Sequence, residues 1–345
     1  MIGRAAGAIG LATALIAGAP SHPPAQPSGY HLIRRVVLGG EGKWDYLTMD
    51  PVGRRVFIAH GTEVLVIDAD SGAVVGRIPD TPGIHGIALA QNLGRGFTSN
   101  GQDSTVTVFD LKSLQPVGRL KTTGRKPDAI VYDSVTGHLF TFNGGSDNTT
   151  AFDAATGKVL STIALGGGPE FAVADGKGRV YVNLEDQSEV VPLDSRGLTA
   201  GAPWPLAPCE APSGMAMDRV HRRLFIGCAN KLMAVVDADN GRVLTTLPIG
   251  GRVDANGFDP GSGLAFSSNG DGTLTVVTAD ATAGYRVLEN VSTEPGARTM
   301  AVDPKTHNVY LVTAQFGPPP PPTQEHPHPR PPAIPGTFVL LVFGR

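Results

Sequence analysis

The sequence predicts an all-β protein, a seven-bladed β-propeller made of four-stranded antiparallel blades. Two observations support this fold class. The 345 residues include 45 Gly and 29 Pro, both turn-forming, and only 17% are charged. Between the turns lie many apolar runs of four to seven residues, a length typical of strands, and no long stretch has a helical period near 3.6.

The stretch 44–83 shows the repeating unit. Each of its apolar runs stops at a cluster of Asp, Gly or Pro, which is a strand signal rather than a helix signal. The predicted strands of this unit are residues 47–49, 55–59, 64–67 and 73–78.

Seven such units follow one another along the chain. The residues that end the first strand of each unit are Asp50, Ala90, Asp133, Asp175, Asp218, Asp259 and Asp303. They are 40 to 44 residues apart, and a period of this length with four strands per unit indicates propeller blades.

The seventh unit lacks a fourth strand after its third strand, residues 337–343. The missing strand is present near the N-terminus, because residues 32–40 align without a gap with the fourth strand of the fifth unit, residues 243–251. We therefore expect the N-terminal strand to complete the last blade and close the ring, which removes exposed strand edges.

The remaining segments indicate export. Residues 1–19 resemble a signal peptide, with Arg4 in a short basic start, an apolar run and a small-residue cleavage pattern at 17–19. Residues 20–29 form a Pro-rich tether, and 30–345 the single propeller domain. The alternative for the first segment is a buried or anchoring helix, for which the run is short. We expect a periplasmic or secreted protein with no transmembrane segment in its mature chain.

Two cysteines, Cys209 and Cys228, fit an exported protein with one disulfide bond. A bond closing a loop of this size stabilises by about 3 kcal/mol in the chain-entropy model. The alternative is a pair of free, buried thiols.

The repeats resemble those of the YVTN-type β-propellers, the YncE-like exported proteins. The strand VYVN at 180–183, the third strands that end in Asp and the turn at 155–157 carry this resemblance, which covers about residues 30–345. It implies a seven-bladed ring outside the cytoplasm and little about chemistry, since propellers have many activities. The chain departs from the pattern at 317–335, a Pro/His-rich insertion between the second and third strands of the last blade, expected to be an extended loop.

Polar residues recur five positions before each residue that ends a first strand. In a propeller these positions meet at one mouth of the central channel. We call them the ring residues: Asp45, His85, Asp128, Glu170, Ser213, Asp254 and Arg298. Six of the seven are charged or His, whereas such residues make up about a fifth of the chain. The ends of the second strands add His60, Asn100, Asn143 and Glu185 on the same face. This mouth is the predicted ligand-binding site.

Three interpretations of the mouth remain open. It is a solvated channel, or a binding site for a cation, a cationic small molecule or a partner protein, or the site of a metal-dependent hydrolase resembling a lactonase. In the third case Asp45, His60 and His85 would hold a divalent metal ion that activates water. We favour binding over catalysis, and we expect Arg298 to form a salt bridge with Asp254 or Asp45. His326 and His328 are expected to be solvated rather than metal-bound.

Several function classes are disfavoured. A net charge of −3 and an acidic mouth repel phosphate, which argues against nucleic acid. No covalent haem motif, nucleophile elbow, zincin helix or P-loop is present in the sequence. We expect a monomer, with no cofactor other than a possible divalent metal ion.

Overall fold

A computed structural model describes residues 1–3, 28–40, 43–279, 284–323 and 329–345. The strands within these ranges form seven antiparallel sheets, one per sequence repeat. The predicted signal peptide and tether lie almost wholly outside the described residues. Within the described ranges, no helix has the length and apolar character needed to cross a membrane.

The first three blades each contain four strands in sequential order. Blade 1 consists of β2 (Trp44–Asp50), β3 (Arg55–His60), β4 (Glu63–Asp68) and β5 (Val74–Ile78). Blade 2 consists of β6 (Ile84–Ala90), β7 (Arg95–Asn100), β8 (Thr105–Asp110) and β9 (Pro116–Lys121), with a 3₁₀ turn at Gln91–Leu93. Blade 3 consists of β10 (Pro127–Asp133), β11 (His138–Asn143), β12 (Asn148–Asp153) and β13 (Val159–Ala164).

The next three blades repeat this order, except that the outer strand of blade 4 is split into two short pieces. Blade 4 consists of β14 (Pro169–Ala174), β15 (Arg179–Leu184), β16 (Glu189–Asp194), β17 (Thr199–Ala200) and β18 (Trp204–Pro205). Blade 5 consists of β19 (Pro212–Asp218), β20 (Arg223–Cys228), β21 (Leu232–Asp237) and β22 (Val243–Pro248). Blade 6 consists of β23 (Val253–Asp259), β24 (Leu264–Asn269), β25 (Thr273–Thr278) and β26 (Arg286–Ser292).

Blade 7 is assembled from both ends of the chain, as the sequence predicts. It consists of β27 (Met300–Val302), β28 (Val309–Thr313), β29 (Val339–Gly344) and β1 (His31–Val37). The N-terminal strand β1 pairs with β29, with Leu32 opposite Phe343 and Val37 opposite Val339. Each first strand contacts the first strand of the next blade, and β27 contacts β2, so the ring is closed. The prediction of a seven-bladed propeller is confirmed.

The hydrophobic core lies between neighbouring blades. Between blades 7 and 1, for example, Val56 and Ile58 pack with Tyr310, Val312 and Phe338. The second and third strands are almost wholly buried, because both of their faces contact other blades, whereas the outer strands are largely exposed. This pattern explains why the second and third strands appear in the sequence as continuous apolar runs.

The Asp residues that end most first strands are structural. The Asp50 carboxylate accepts hydrogen bonds from the backbone N–H groups of Val52 and Gly53 and so closes the turn to β3. Some of these carboxylates also join blades, since Arg54 in blade 1 lies 2.7 Å from Asp303 in blade 7. These residues lie at the opposite ends of the first strands from the ring residues.

Cys209 and Cys228 form the predicted disulfide bond, with their Cα atoms 5.7 Å apart. It joins the segment that enters β19 to the end of β20. The Pro-rich insertion is anchored at its base, where Phe316 pairs with Ala333 and the Gly317 N–H donates to the Pro332 carbonyl oxygen. His326 and His328 lie outside the described residues.

Candidate functional site

A β-bulge places the ring residue in each of the first six blades. In blade 1, Trp44 pairs with His60 and Leu47 pairs with Ile58, so Asp45 and Tyr46 together lie opposite Ala59. The same two-against-one arrangement holds Glu170 and Phe171 in blade 4, and Asp254 is the extra residue in blade 6. A bulge leaves its extra residue out of the ladder and redirects its side chain. In these six blades the ring residue is therefore directed out of the ladder towards the channel.

Polar side chains on the second strands hold the ring residues from the neighbouring blade. The Ser99 hydroxyl of blade 2 donates to the Asp128 carbonyl oxygen, and the Ser268 hydroxyl of blade 6 donates to the Arg298 carbonyl oxygen. In blade 4 the Asn183 amide donates to the Ser213 carbonyl oxygen at 2.6 Å. The equivalent positions of these three side chains in the repeat are visible in the sequence, but their role was not predicted.

His85 and two acids form the central group of the mouth. The His85 Nδ1 lies 2.5 Å from the Asp45 Oδ2 and 3.5 Å from the Asp128 Oδ2. One donor atom from each side chain lies within 4.8 Å of the other two, and this is the one such group of three among the described ranges of the chain. We call Asp45, His85 and Asp128 the acid–histidine group.

The surroundings of this group shift the pKa values of two members. Burial lowers the pKa of His85, but the Asp45 hydrogen bond and the negative charges of Asp128 and Glu170 outweigh it and raise the pKa to about 9. Burial and then the charge of Asp45 raise the pKa of Asp128 to about 7. At neutral pH His85 is therefore a cation that donates to Asp45, and Asp128 takes up a proton readily.

The other ring residues form a second group. The Arg298 guanidinium lies 2.6 Å from the Asp254 carboxylate, which is one of the two salt bridges expected from the sequence. The Ser213 hydroxyl lies 3.4 Å from the other oxygen of Asp254. Burial is the main cause that raises the pKa of Glu170 to about 9, and the charges of Asp128 and Glu185 add to it. Glu170 thus stays protonated at neutral pH.

A cavity lies beside the acid–histidine group at the channel axis. It is narrow and partly open to solvent. Its polar and aromatic lining residues are Asp45, Tyr46, Glu170, Phe171, Asp254 and Thr299. Tyr46, Phe171 and Thr299 were not predicted from the sequence, because the recurring signal in the repeats is charge and these three side chains are uncharged. Each directly follows a ring residue, so the register would have found them.

The structure does not bring all of the predicted residues to the mouth. His60 is absent from the group of donor atoms around His85; its Nδ1 lies 3.7 Å from Glu63 and its ring stacks on Phe338. The third member of the group around His85 and Asp45 is Asp128 rather than His60. Glu185 is exposed and acts on the mouth through its charge.

Asn100 and Asn143 are fully buried and serve the sheet rather than the channel. The Asn100 amide group donates to Thr105 and Thr107 on the next strand, and its oxygen accepts from Thr98. Asn143 makes the equivalent bonds in blade 3. The side chains of these two residues therefore point into the blade, and their assignment to ligand binding stays a prediction.

We expect Glu170→Gln to stabilise the protein at alkaline pH. The pKa of Glu170 is higher in the folded than in the unfolded chain, so its favourable contribution exists at acid pH and is lost as the pH rises towards about 9. In EDTA-containing buffer the variant should melt about 3 °C or more above the wild type at pH 8.5 and close to it at pH 5. Exposed Glu210→Gln is the control. A difference that is independent of pH would contradict this account.

The comparisons with known proteins support the fold alone. The chain is similar in structure to hydrazine synthase of Kuenenia stuttgartiensis, with a TM-score of 0.69, 14% sequence identity, and coverage of 83% of this chain and 95% of that chain. No family model matches the chain, and a search of curated proteins finds no match. At this identity the likeness carries no information about ligands or chemistry.

Proposed function

We propose that the protein is an exported cation-binding propeller, and that Asp45, His85 and Asp128 bind a divalent metal ion at the mouth of its channel. The observation that carries the proposal is the convergence of two carboxylate oxygens and one imidazole nitrogen within 4.8 Å. This set of oxygen and nitrogen donors suits Zn²⁺ or Mn²⁺ better than Mg²⁺ or Ca²⁺, which prefer oxygen alone.

The distances support this assignment. Two ligands bound to one tetrahedral ion at about 2.1 Å are about 3.4 Å apart. The distance from His85 Nδ1 to Asp128 Oδ2 is 3.5 Å, close to this value, and the 2.5 Å distance from His85 to Asp45 has to widen by less than about 1 Å. An ion would replace the proton that His85 and Asp45 share.

A second observation concerns the cavity beside the acid–histidine group. The buried hydroxyl of Thr299, a residue that lines the adjacent cavity, has no hydrogen-bond partner within the described ranges. Leaving such a group unsatisfied costs about 1–3 kcal/mol, so cavities of this kind are commonly occupied by a ligand or water.

The disulfide bond and the resemblance to exported propellers support a site of action outside the cytoplasm. Disulfide bonds persist in oxidising compartments such as the periplasm and the extracellular space. The hydrolase interpretation needs the same metal ion, so metal binding is also its first requirement.

We expect saturating Zn²⁺ or Mn²⁺ to raise the melting temperature of the EDTA-treated protein by about 5 °C, because a ligand at 100 times its Kd stabilises by about 2.7 kcal/mol. Asp128→Asn and His85→Gln should abolish this shift, and Glu210→Gln should retain it. Isothermal titration would confirm one ion per chain. If neither Zn²⁺ nor Mn²⁺ has an effect, or if the shift survives in both site variants, the metal assignment is wrong.

A further inference from the structure

The cavity beside the acid–histidine group shares Asp45 with it but is otherwise made of different side chains. His85 and Asp128 do not line it, whereas Glu170 and Asp254 from blades 4 and 6 do. A ligand in this cavity would therefore meet the Asp254 carboxylate and the protonated carboxyl group of Glu170 on different sides of the channel.

These acids are too widely separated to chelate one small ion. Within the described ranges, the acid–histidine group is the one set of three donors that converges within 4.8 Å, and Glu170 and Asp254 are outside it. The Asp254 carboxylate is held by Arg298 at 2.6 Å. The carboxylates of Asp45 and Asp254, which lie apart in the wall of the cavity, match a larger cation that carries several N–H donors rather than a bare metal ion.

Two aromatic rings form part of the same wall. Tyr46 and Phe171 stack with their ring centroids 4.9 Å apart. Both side chains are only partly buried, so part of their surface remains open to the channel. The Tyr46 hydroxyl donates to the Glu170 carbonyl oxygen at 2.9 Å, which fixes the orientation of its ring. Aromatic faces attract organic cations and also bury hydrocarbon.

Thr299 adds a polar group that is 3% exposed and has no hydrogen-bond partner for its hydroxyl within the described ranges. The hydroxyl oxygen can accept a hydrogen bond from an N–H donor. The cavity thus combines carboxylates, an unsatisfied acceptor and aromatic surface.

We infer that this cavity binds a small organic amine in its protonated form, with N–H groups that donate to Asp45, Asp254 and Thr299 and a hydrocarbon part that packs on Tyr46 and Phe171. The inference rests on the proposed function only in that the mouth attracts positive charge. It does not require a metal ion at the acid–histidine group.

The test is isothermal titration of the full chain with 1,4-diaminobutane in EDTA-containing buffer. We expect binding that weakens at least tenfold in Tyr46→Leu and in Asp254→Asn, and that changes less than threefold in Asp128→Asn. 1,4-Butanediol, which lacks the charge, should not bind. Tetramethylammonium, which lacks N–H donors, should bind at least tenfold more weakly than the diamine. Phe171→Leu gives a second aromatic variant if Tyr46→Leu does not fold.

The outcomes separate the two sites. The amine site would be overturned if a folded Tyr46→Leu or Phe171→Leu variant bound the diamine as tightly as the wild type. It would also be overturned if the diol bound as tightly as the diamine. Diamine binding that is retained in Asp128→Asn while the metal shift is lost supports two distinct ligands. If no metal ion binds but the diamine does, the amine site stands and the metal assignment fails. If Zn²⁺ binds and the diamine does not, the metal assignment stands and the amine site is wrong.

Discussion

A chain that begins at Lys43 will lose the stable ring, whereas a chain that begins at Ser28 will keep it. Both lack the predicted signal peptide, so the difference between them tests the strand β1 and the residues that flank it. We expect the shorter chain to melt at least about 10 °C below the longer one, or to aggregate, because its free energy of unfolding is lower by more than about 5 kcal/mol.

The shorter chain loses two stabilising features, which together account for the expected loss of stability. Without β1, the backbone of β29 is an unpaired edge, although the side chains of this strand are buried. Tyr30 is lost as well; it is 3% exposed, packs edge-on against Phe266 and donates to the His307 carbonyl oxygen at 2.7 Å. Removing a buried aromatic side chain alone costs about 3–5 kcal/mol.

Differential scanning fluorimetry of the two chains measures the effect. A synthetic peptide of residues 28–40 provides the control, since adding the missing strand in trans should restore part of the lost stability. Melting temperatures within 3 °C of each other would show that β1 contributes little to the stability of the closed ring.

The second large effect is expected at the seam where blade 7 meets blade 1. The Arg54 guanidinium lies 2.7 Å from Asp303, whose carboxylate is fully buried, and 2.6 Å from the exposed Asp70. Replacing Arg54 by Met keeps the hydrocarbon stem but leaves the Asp303 charge without its cation. Breaking a buried pair in this way costs about 3–5 kcal/mol.

The pH dependence of this loss has a definite sign. Burial raises the pKa of Asp303, but the hydrogen bonds from Thr306, Lys305 and Arg54 outweigh it, so the net pKa is below its ordinary value. The stabilisation is therefore present above the unfolded-state pKa and is lost as the pH falls through the lower folded-state value. The wild type and Arg54→Met should accordingly converge in stability under acidic conditions.

Chemical denaturation at pH 7 and at pH 3 checks this expectation. Arg77→Met is the matched control, because Arg77 pairs with Glu63 on the exposed outer face of blade 1 and such a pair is worth about 0–1 kcal/mol. If Arg54→Met lowers the free energy of unfolding at pH 7 by no more than Arg77→Met does, the stability of the seam does not depend on this ion pair.

The fold could be predicted from the sequence because strand length and repeat period are local properties. Each second and third strand is buried on both faces, which makes its apolar run visible, and the match between residues 32–40 and an internal fourth strand revealed the closure. The position of the mouth followed from the same register.

The side-chain directions at the mouth could not be predicted in the same way. Asn100 and Asn143 end their strands near the channel, but alternation along the strand turns them into the blade. For Asn100 the pairing with Thr105 and Thr107 on the next strand was a visible signal, since Thr-x-Asn precedes Thr-x-Thr at 98–107. The bulges were not predicted, because the pairing with the next strand decides which residue is left out of the ladder.

The bulges have a consequence for how this protein can change over evolutionary time. In the first six blades the ring residue has no partner of its own in the ladder, so its replacement does not have to be matched by a change on the neighbouring strand. Selection can therefore alter these positions one at a time, with little epistasis between them and the sheets. The ligand preference of the mouth can diverge among descendants of this chain while the architecture stays the same.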